Sequence, residues 1–110
     1  MESTFQLLSS DGVLVDYKMK WLKDSEVLQK LFMEHSNEGP IHLINVDSRT
    51  LKVITKANEV NENGSSLMPL FKKLNQNEMT KLIAAVKEIQ HFALCFGISW
   101  FFAGQLTYRL

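Results

Sequence analysis

The side chains in this sequence that are equipped for catalysis or metal binding are three histidines and a single cysteine. His35, His42 and His91 fall in different predicted elements, and their spacing matches no metal-ligand set. His91 and Cys95 lie four positions apart on one predicted helix, as in a thiolate-imidazole pair or half a metal site. The apolar residues around Cys95 instead favour a packed thiol, because free cysteine commonly behaves as a small hydrophobic side chain. We therefore expect no enzymatic activity, no metal and no cofactor.

Neither the glycines nor the lysines form a pattern for binding nucleotides or nucleic acids. The five glycines match neither the Gly-x-Gly-x-x-Gly nor the Walker pattern. Twelve basic residues balance twelve acidic ones, so the formal net charge is zero. The basic candidates are Lys18, Lys20, Lys23, Lys72 and Lys73. They alternate with acidic residues, which predicts a solvated face, and we expect recognition through shape and apolar contact, without nucleic acid.

Length and composition are those of one soluble globular domain spanning residues 1–110. The chain is 45% hydrophobic and 22% charged, which is ordinary for such a domain. A single cysteine cannot form an internal disulfide, and no basic stretch followed by an apolar segment opens the sequence, so we expect a cytoplasmic or nuclear protein. Residues 92–106 are almost uncharged, but about 15 residues fall short of the ~20 that a spanning helix needs. A buried helix, with no membrane segment, is predicted there.

Three short segments are predicted to form the strands of a small sheet. Residues 4–8 and 13–19 are β-prone, and Asp11-Gly12 between them supplies the positive φ that a tight hairpin turn requires. A Gly-Pro pair interrupts the chain further on, and residues 41–46 then alternate apolar and polar side chains at first. That alternation predicts a short, half-buried third strand.

Capping signals and helical periodicity predict the helices. The residues suited to start them are Asp24 or Ser25, Asp47 or Ser48, Pro69, and Asn75 with Glu78 as a capping box. Apolar residues follow at helical spacing, and the polar stretch 59–66 is predicted to be a surface loop. With a last helix over residues 92–106, the sequence predicts an α+β domain in which five to six helices flank a three-stranded sheet.

Four segments, in this order, resemble the Skp-type, elongin C-like BTB/POZ adaptor family. They are Phe5-Gln6-Leu7-Leu8-Ser9-Ser10-Asp11-Gly12, then Ser25 with Leu28 and Phe32, then Pro40-Ile41-His42-Leu43-Ile44-Asn45-Val46 with Leu51-Lys52-Val53-Ile54, and finally Leu82-Ile83-Ala84-Ala85. The resemblance covers nearly the whole chain and implies the BTB/POZ fold in a divergent relative, shortened by the two helices that grip an F-box. It also implies a non-catalytic adaptor that joins a cullin to a substrate receptor in a ubiquitin ligase.

The resemblance also points to two candidate partner-binding residues. In the family, the Ala-Ala pair is followed by an Asn and an aromatic residue that help to form the cullin-facing surface. The corresponding residues in this chain are Val86 and Lys87. The departure matters because buried aromatic side chains commonly dominate the energy of an interface.

Aromatic side chains are concentrated in the last predicted helix. They are Phe92, Phe96, Trp100, Phe101 and Phe102. A helix that is apolar all round must be buried all round, yet a domain of this size covers one face and leaves roughly several hundred Å² exposed. We therefore predict partner binding through Phe92, Phe96, Trp100 and Phe101. The alternatives are a helix central to the helical cluster, or a structural scaffold that homodimerises or joins a complex other than a ligase.

Overall fold

The strands and α-helices follow one another in the order that the sequence predicts, and the structure adds a 3-10 helix that the sequence did not predict. The computed structural model describes residues 3–35 and 39–109, with the backbone alone for residues 104–109. The strands are β1 (Thr4–Leu8), β2 (Leu14–Lys18) and β3 (Ile41–His42). The α-helices are α1 (Glu26–His35), α2 (Ser48–Glu62), α3 (Met68–Lys72), α4 (Gln76–Ile89) and α5 (Phe92–Arg109), and a 3-10 helix (Met19–Asp24) precedes α1. The predicted α+β class, with a three-stranded sheet and about six helices, is confirmed.

The sheet is mixed and has the strand order β2-β1-β3. β1 and β2 are antiparallel, with Thr4 opposite Lys18, and β3 runs parallel to β1. The predicted hairpin turn is confirmed, since Gly12 has a φ of +79°. Glycine adopts this left-handed conformation without the steric penalty that a Cβ atom brings.

The third strand is shorter than the segment 41–46 that the sequence predicts. Leu43 donates its N–H to the carbonyl of Leu8 at 2.9 Å, and Leu8 is the last residue of β1. Beyond this bond the neighbouring strand offers no further partner, and the chain turns at residues 44–45. The length of β3 is therefore set by where β1 ends.

The surface loop predicted over residues 59–66 begins only at Asn63, because α2 continues through Glu62. The carboxylate of Glu62 accepts a hydrogen bond from Trp21 Nε1 at 3.0 Å and pairs with the ammonium group of Lys20. These contacts join the last turn of α2 to the 3-10 helix. The polar composition of the segment does not reveal such a long-range contact.

The predicted helix caps are present, and the structure decides between the alternatives. Ser25 Oγ accepts from a backbone N–H of α1 at 3.3 Å, and the Asp47 carboxylate accepts from Thr50 N–H at 2.7 Å. Asn75 and Glu78 form the capping box at the start of α4. Each cap satisfies backbone N–H groups that have no partner within the helix.

One hydrophobic core lies between the sheet and the helices. Its fully buried side chains include Leu7, Tyr17, Leu28, Leu51, Ile54, Leu82, Ile89 and Leu94. They come from β1, β2, α1, α2, α4 and α5. Sheet and helices therefore stabilise each other through a shared apolar interior.

α5 packs against α3 and α4 along one side and is longer than the predicted segment 92–106. A Cβ atom at Gly97 would lie 2.9 Å from Leu67 Cδ1, so the glycine allows α5 to come close to this side chain. The rings of Phe71 and Phe101 meet edge to face, with centroids 5.7 Å apart. Within the described part of the chain, no helix has both the length and the apolar character to cross a membrane.

Candidate functional site

The side of α5 that faces away from the core carries large aromatic side chains. Phe92, Phe96 and Trp100 are 51%, 72% and 71% exposed. Their spacing of four residues places them together on one side of the helix. Ser99 and Ala103 are exposed on the same side. We call this surface the aromatic face, defined as Phe92, Phe96, Ser99, Trp100 and Ala103.

The aromatic face is uncharged, and its exposure is energetically unfavourable. The sequence has no charged residue from Phe92 through Tyr108. Fully burying a large apolar side chain contributes roughly 1.5–3 kcal/mol. Covering three such rings would therefore contribute several kcal/mol towards binding, part of which offsets the entropic cost of association.

The residues predicted to bind a partner are divided by the structure between surface and core. Val86 is only 1% exposed and Phe101 only 9%, because α4 and α5 turn these residues towards the packed interior. Both are therefore corrected to core positions. Lys87 is exposed beside Val86. The alternative in which the last helix is wholly central is wrong for the side chains that the structure describes. The side chain of Leu106, which belongs to the same predicted helix, lies outside the described residues.

A buried hydrogen-bonded network, which the sequence did not predict, joins β2, α2 and the start of α5. Asn58 Nδ2 donates to the Tyr17 hydroxyl at 3.0 Å, and Asn58 Oδ1 lies 2.6 Å from His91 Nε2. His91 Nδ1 accepts from Leu94 N–H at 3.2 Å, so the imidazole proton is on Nε2, which donates to Asn58. Cys95, four residues after His91, is partly buried and packs against the hydrophobic core, in agreement with the packed thiol that the sequence favours. The signal for this network that the sequence offered was Asn58, a polar residue on the otherwise apolar side of α2.

Burial sets the protonation state of this network. Desolvation, which is the largest influence, lowers the pKa of His91. The same cause raises the pKa of Tyr17 to about 12. Both side chains are therefore neutral near pH 7, and each buried side-chain nitrogen or oxygen among the described residues has a hydrogen-bond partner. The network is suited to holding three elements together.

Comparison with known proteins identifies no relative. No family model matches the chain, and no curated protein is significantly similar to it. The BTB/POZ resemblance therefore stays a prediction that depends on the four segments and on the order of elements.

An open groove of about 480 Å³ adjoins α5 on the side of α3 and α4. Its apolar walls include Leu74, Met79, Ile83 and Phe102. Among its described lining residues, Lys72 is the one charged side chain. In the described part of the chain, no group of three or more His, Cys, Asp or Glu side chains is placed to hold a metal ion. Chemically, the surface around α5 is suited to apolar contact with another macromolecule.

Proposed function

We propose that this chain is a non-catalytic protein-interaction adaptor that binds a protein partner through the aromatic face of α5. The observation that carries the proposal is the exposure of Phe92, Phe96 and Trp100 on a helix whose opposite side is packed into the core. Exposed apolar patches of this kind usually mark interfaces, and aromatic residues commonly supply most of the binding energy there.

The Skp-type resemblance supports a heteromeric form of this proposal, with a cullin scaffold and a substrate receptor as partners in the cytoplasm or nucleus. The observed order of strands and helices agrees with the order on which that resemblance was based. At the position of the family's Asn-aromatic pair, Lys87 is exposed and Val86 is buried. The aromatic face is therefore the larger of the two proposed contact surfaces.

The geometry around His91 and Cys95 favours this proposal over an enzymatic one. Both ring nitrogens of His91 already have partners, namely Asn58 and the backbone N–H of Leu94. No nitrogen remains to take a proton from the Cys95 thiol, which a thiolate-imidazole couple would require.

Affinity purification of the tagged chain at endogenous level, followed by mass spectrometry, tests the proposal. We expect a partner that is recovered by the unmodified chain and lost with Phe96→Asp or Trp100→Asp, because a carboxylate would be desolvated at the interface. Met33→Asp is the matched control, since Met33 is 82% exposed on α1, outside the aromatic face.

Two outcomes would count against the proposal in different ways. Recovery of the same other proteins with every variant would remove the aromatic face as the surface that binds a heteromeric partner. Recovery of a face-dependent partner without any cullin or substrate receptor would overturn the ligase form and leave the interaction function in place.

A further inference from the structure

We propose that the aromatic face pairs with the same face of a second copy of this chain, as an antiparallel helix pair about a two-fold axis. This inference depends on the proposed function in one respect, namely that the aromatic face is a docking surface. It names the partner that fits the shape of that surface.

The spacing along the aromatic face is that of a helix that packs lengthwise on another helix. Phe92, Phe96, Ser99 and Ala103 follow one another at intervals of four, three and four residues, which is the spacing of heptad a and d positions. The two large residues come first and the two small residues come last. The row of these four residues is therefore bulky in its N-terminal half and shallow in its C-terminal half, and Trp100 lies on its flank at an e position.

An antiparallel arrangement makes this row complementary to itself. With the two-fold axis between positions 97 and 98, Phe92 faces Ala103 of the second copy and Phe96 faces Ser99 of the second copy. Each contact occurs twice, because a two-fold interface uses the same patch on both chains. Large side chains opposite small ones interdigitate without gaps or strain.

Trp100 extends the same match to the flank of the helix pair. In antiparallel heptad packing, flanking e positions face each other, so Trp100 lies across Ala93 of the second copy. A parallel pairing would instead place Phe96 against Phe96 and Ser99 against Ser99. The crowding at one layer and the gap at the other favour the antiparallel arrangement.

Charge and area are compatible with a reversible dimer. No charged residue lies between Phe92 and Tyr108, and the formal net charge of the chain is zero, so like-charge repulsion does not oppose pairing. At ~150–250 Å² per aromatic side chain, the exposed fractions of the three rings correspond to about 400 Å². This is about half of one side of a standard interface, which is the size range of weak, reversible association.

Sedimentation equilibrium of the full chain over about a hundredfold concentration range around micromolar tests the pairing. We expect the mass to rise from 12.6 kDa to twice that value. Trp100→Asp should remain monomeric, whereas Met33→Asp should dimerise like the unmodified chain. Circular dichroism on each variant checks that the helices are retained, which we expect because both residues are exposed.

Exchanging the large and the small residue between positions 96 and 99 distinguishes the proposed register from non-specific apolar association. Phe96→Ser leaves a gap opposite Ser99, and Ser99→Phe crowds Phe96, so each single change should weaken dimerisation about tenfold or more. The double variant Phe96→Ser with Ser99→Phe restores a large residue opposite a small one, and we expect affinity within about threefold of the unmodified chain.

Failure of this inference is separable from failure of the proposed function. A chain that stays monomeric over the whole range, or a double variant no tighter than the single variants, overturns the self-pairing. If Phe96→Asp and Trp100→Asp still abolish recovery of another protein from cells, the interaction function stands with a different partner. If neither dimer nor face-dependent partner is found, both proposals fail.

Discussion

Burial keeps the imidazole of His91 neutral, and its hydrogen bonds require that state. Desolvation lowers the pKa of His91, although the charge of Asp24 acts in the opposite direction. In the neutral form Nε2 donates to Asn58 and Nδ1 accepts from the N–H of Leu94. Protonation would place a hydrogen on Nδ1, facing another donor, and would break the bond to Leu94.

The stability of the domain should therefore decline as the pH falls below the usual pKa of histidine, 6.5. The unfolded chain takes up a proton there before the folded chain does, so the contribution of His91 is complete above this pH and is lost below it. Urea unfolding at about pH 7.5 and about pH 5.5 measures the decline. His91→Gln should be less stable than the unmodified chain at the higher pH, and its decline should be smaller.

His42→Gln is the matched control for this pH effect, because His42 is exposed. Its decline between the two pH values should equal that of the unmodified chain. An equal decline in His91→Gln would show that the lost stability comes from other groups.

At the scale of the elements, side-chain hydrogen bonds at the helix starts stabilise the positions of α2 and α4. Asp47 caps α2, and Asp11 in the hairpin turn adds bonds from Ser48 N–H at 2.8 Å and Ser48 Oγ at 2.7 Å. Hydrogen bonds from Ser9 and Ser48 lower the pKa of Asp11. The Ser-Ser-Asp-Gly segment thus joins the sheet to α2 as well as turning the chain.

Asn75→Ala should lower the free energy of unfolding by about 1 kcal/mol, the typical value for removing an N-cap side chain. The Asn75 side chain accepts the N–H of Glu78 at 2.8 Å, and alanine leaves that N–H without this partner. Urea unfolding followed by circular dichroism measures the loss. Asn77→Ala, an exposed change in the first turn of the same helix, should leave stability nearly unchanged. Equal effects of the two substitutions would contradict a capping role.

At the scale of the whole molecule, one core connects the sheet to all the long helices. The two tryptophans report on different places, since Trp21 is buried beside Tyr17 and Trp100 lies on the aromatic face. A single shared core implies that these elements unfold together.

The variant Trp100→Phe leaves Trp21 as the only tryptophan and allows that cooperativity to be tested. We expect the urea midpoint from Trp21 fluorescence to coincide with the midpoint from far-ultraviolet circular dichroism, as two-state unfolding requires. A loss of helical signal at lower urea than the fluorescence change would show that some helices unfold separately and that the chain is not one cooperative unit.

Local interactions explain why the sequence alone determined the hairpin at Asp11-Gly12, the capping box at Asn75 and the order of the strands and α-helices. For the caps of α1 and α2 it narrowed the choice to two adjacent residues each, and the structure selected Ser25 and Asp47. Turns and caps depend on residues a few positions apart, so their signals are visible in the sequence. The lengths of β3 and α2 were decided by partners distant in the chain, as in the contact between Glu62 and Trp21.

The candidate site depended on tertiary structure to a greater degree than the turns, the caps and the order of elements did. The sequence determined that the last helix is apolar and aromatic, but apolar residues on all its sides do not indicate which side meets the core. Packing of α5 on α3 and α4 buries Phe101 and leaves Phe96 and Trp100 exposed. In the same way, His91 is joined to Asn58, 33 residues away, and not to its neighbour in sequence, because folding brings α2 against the start of α5.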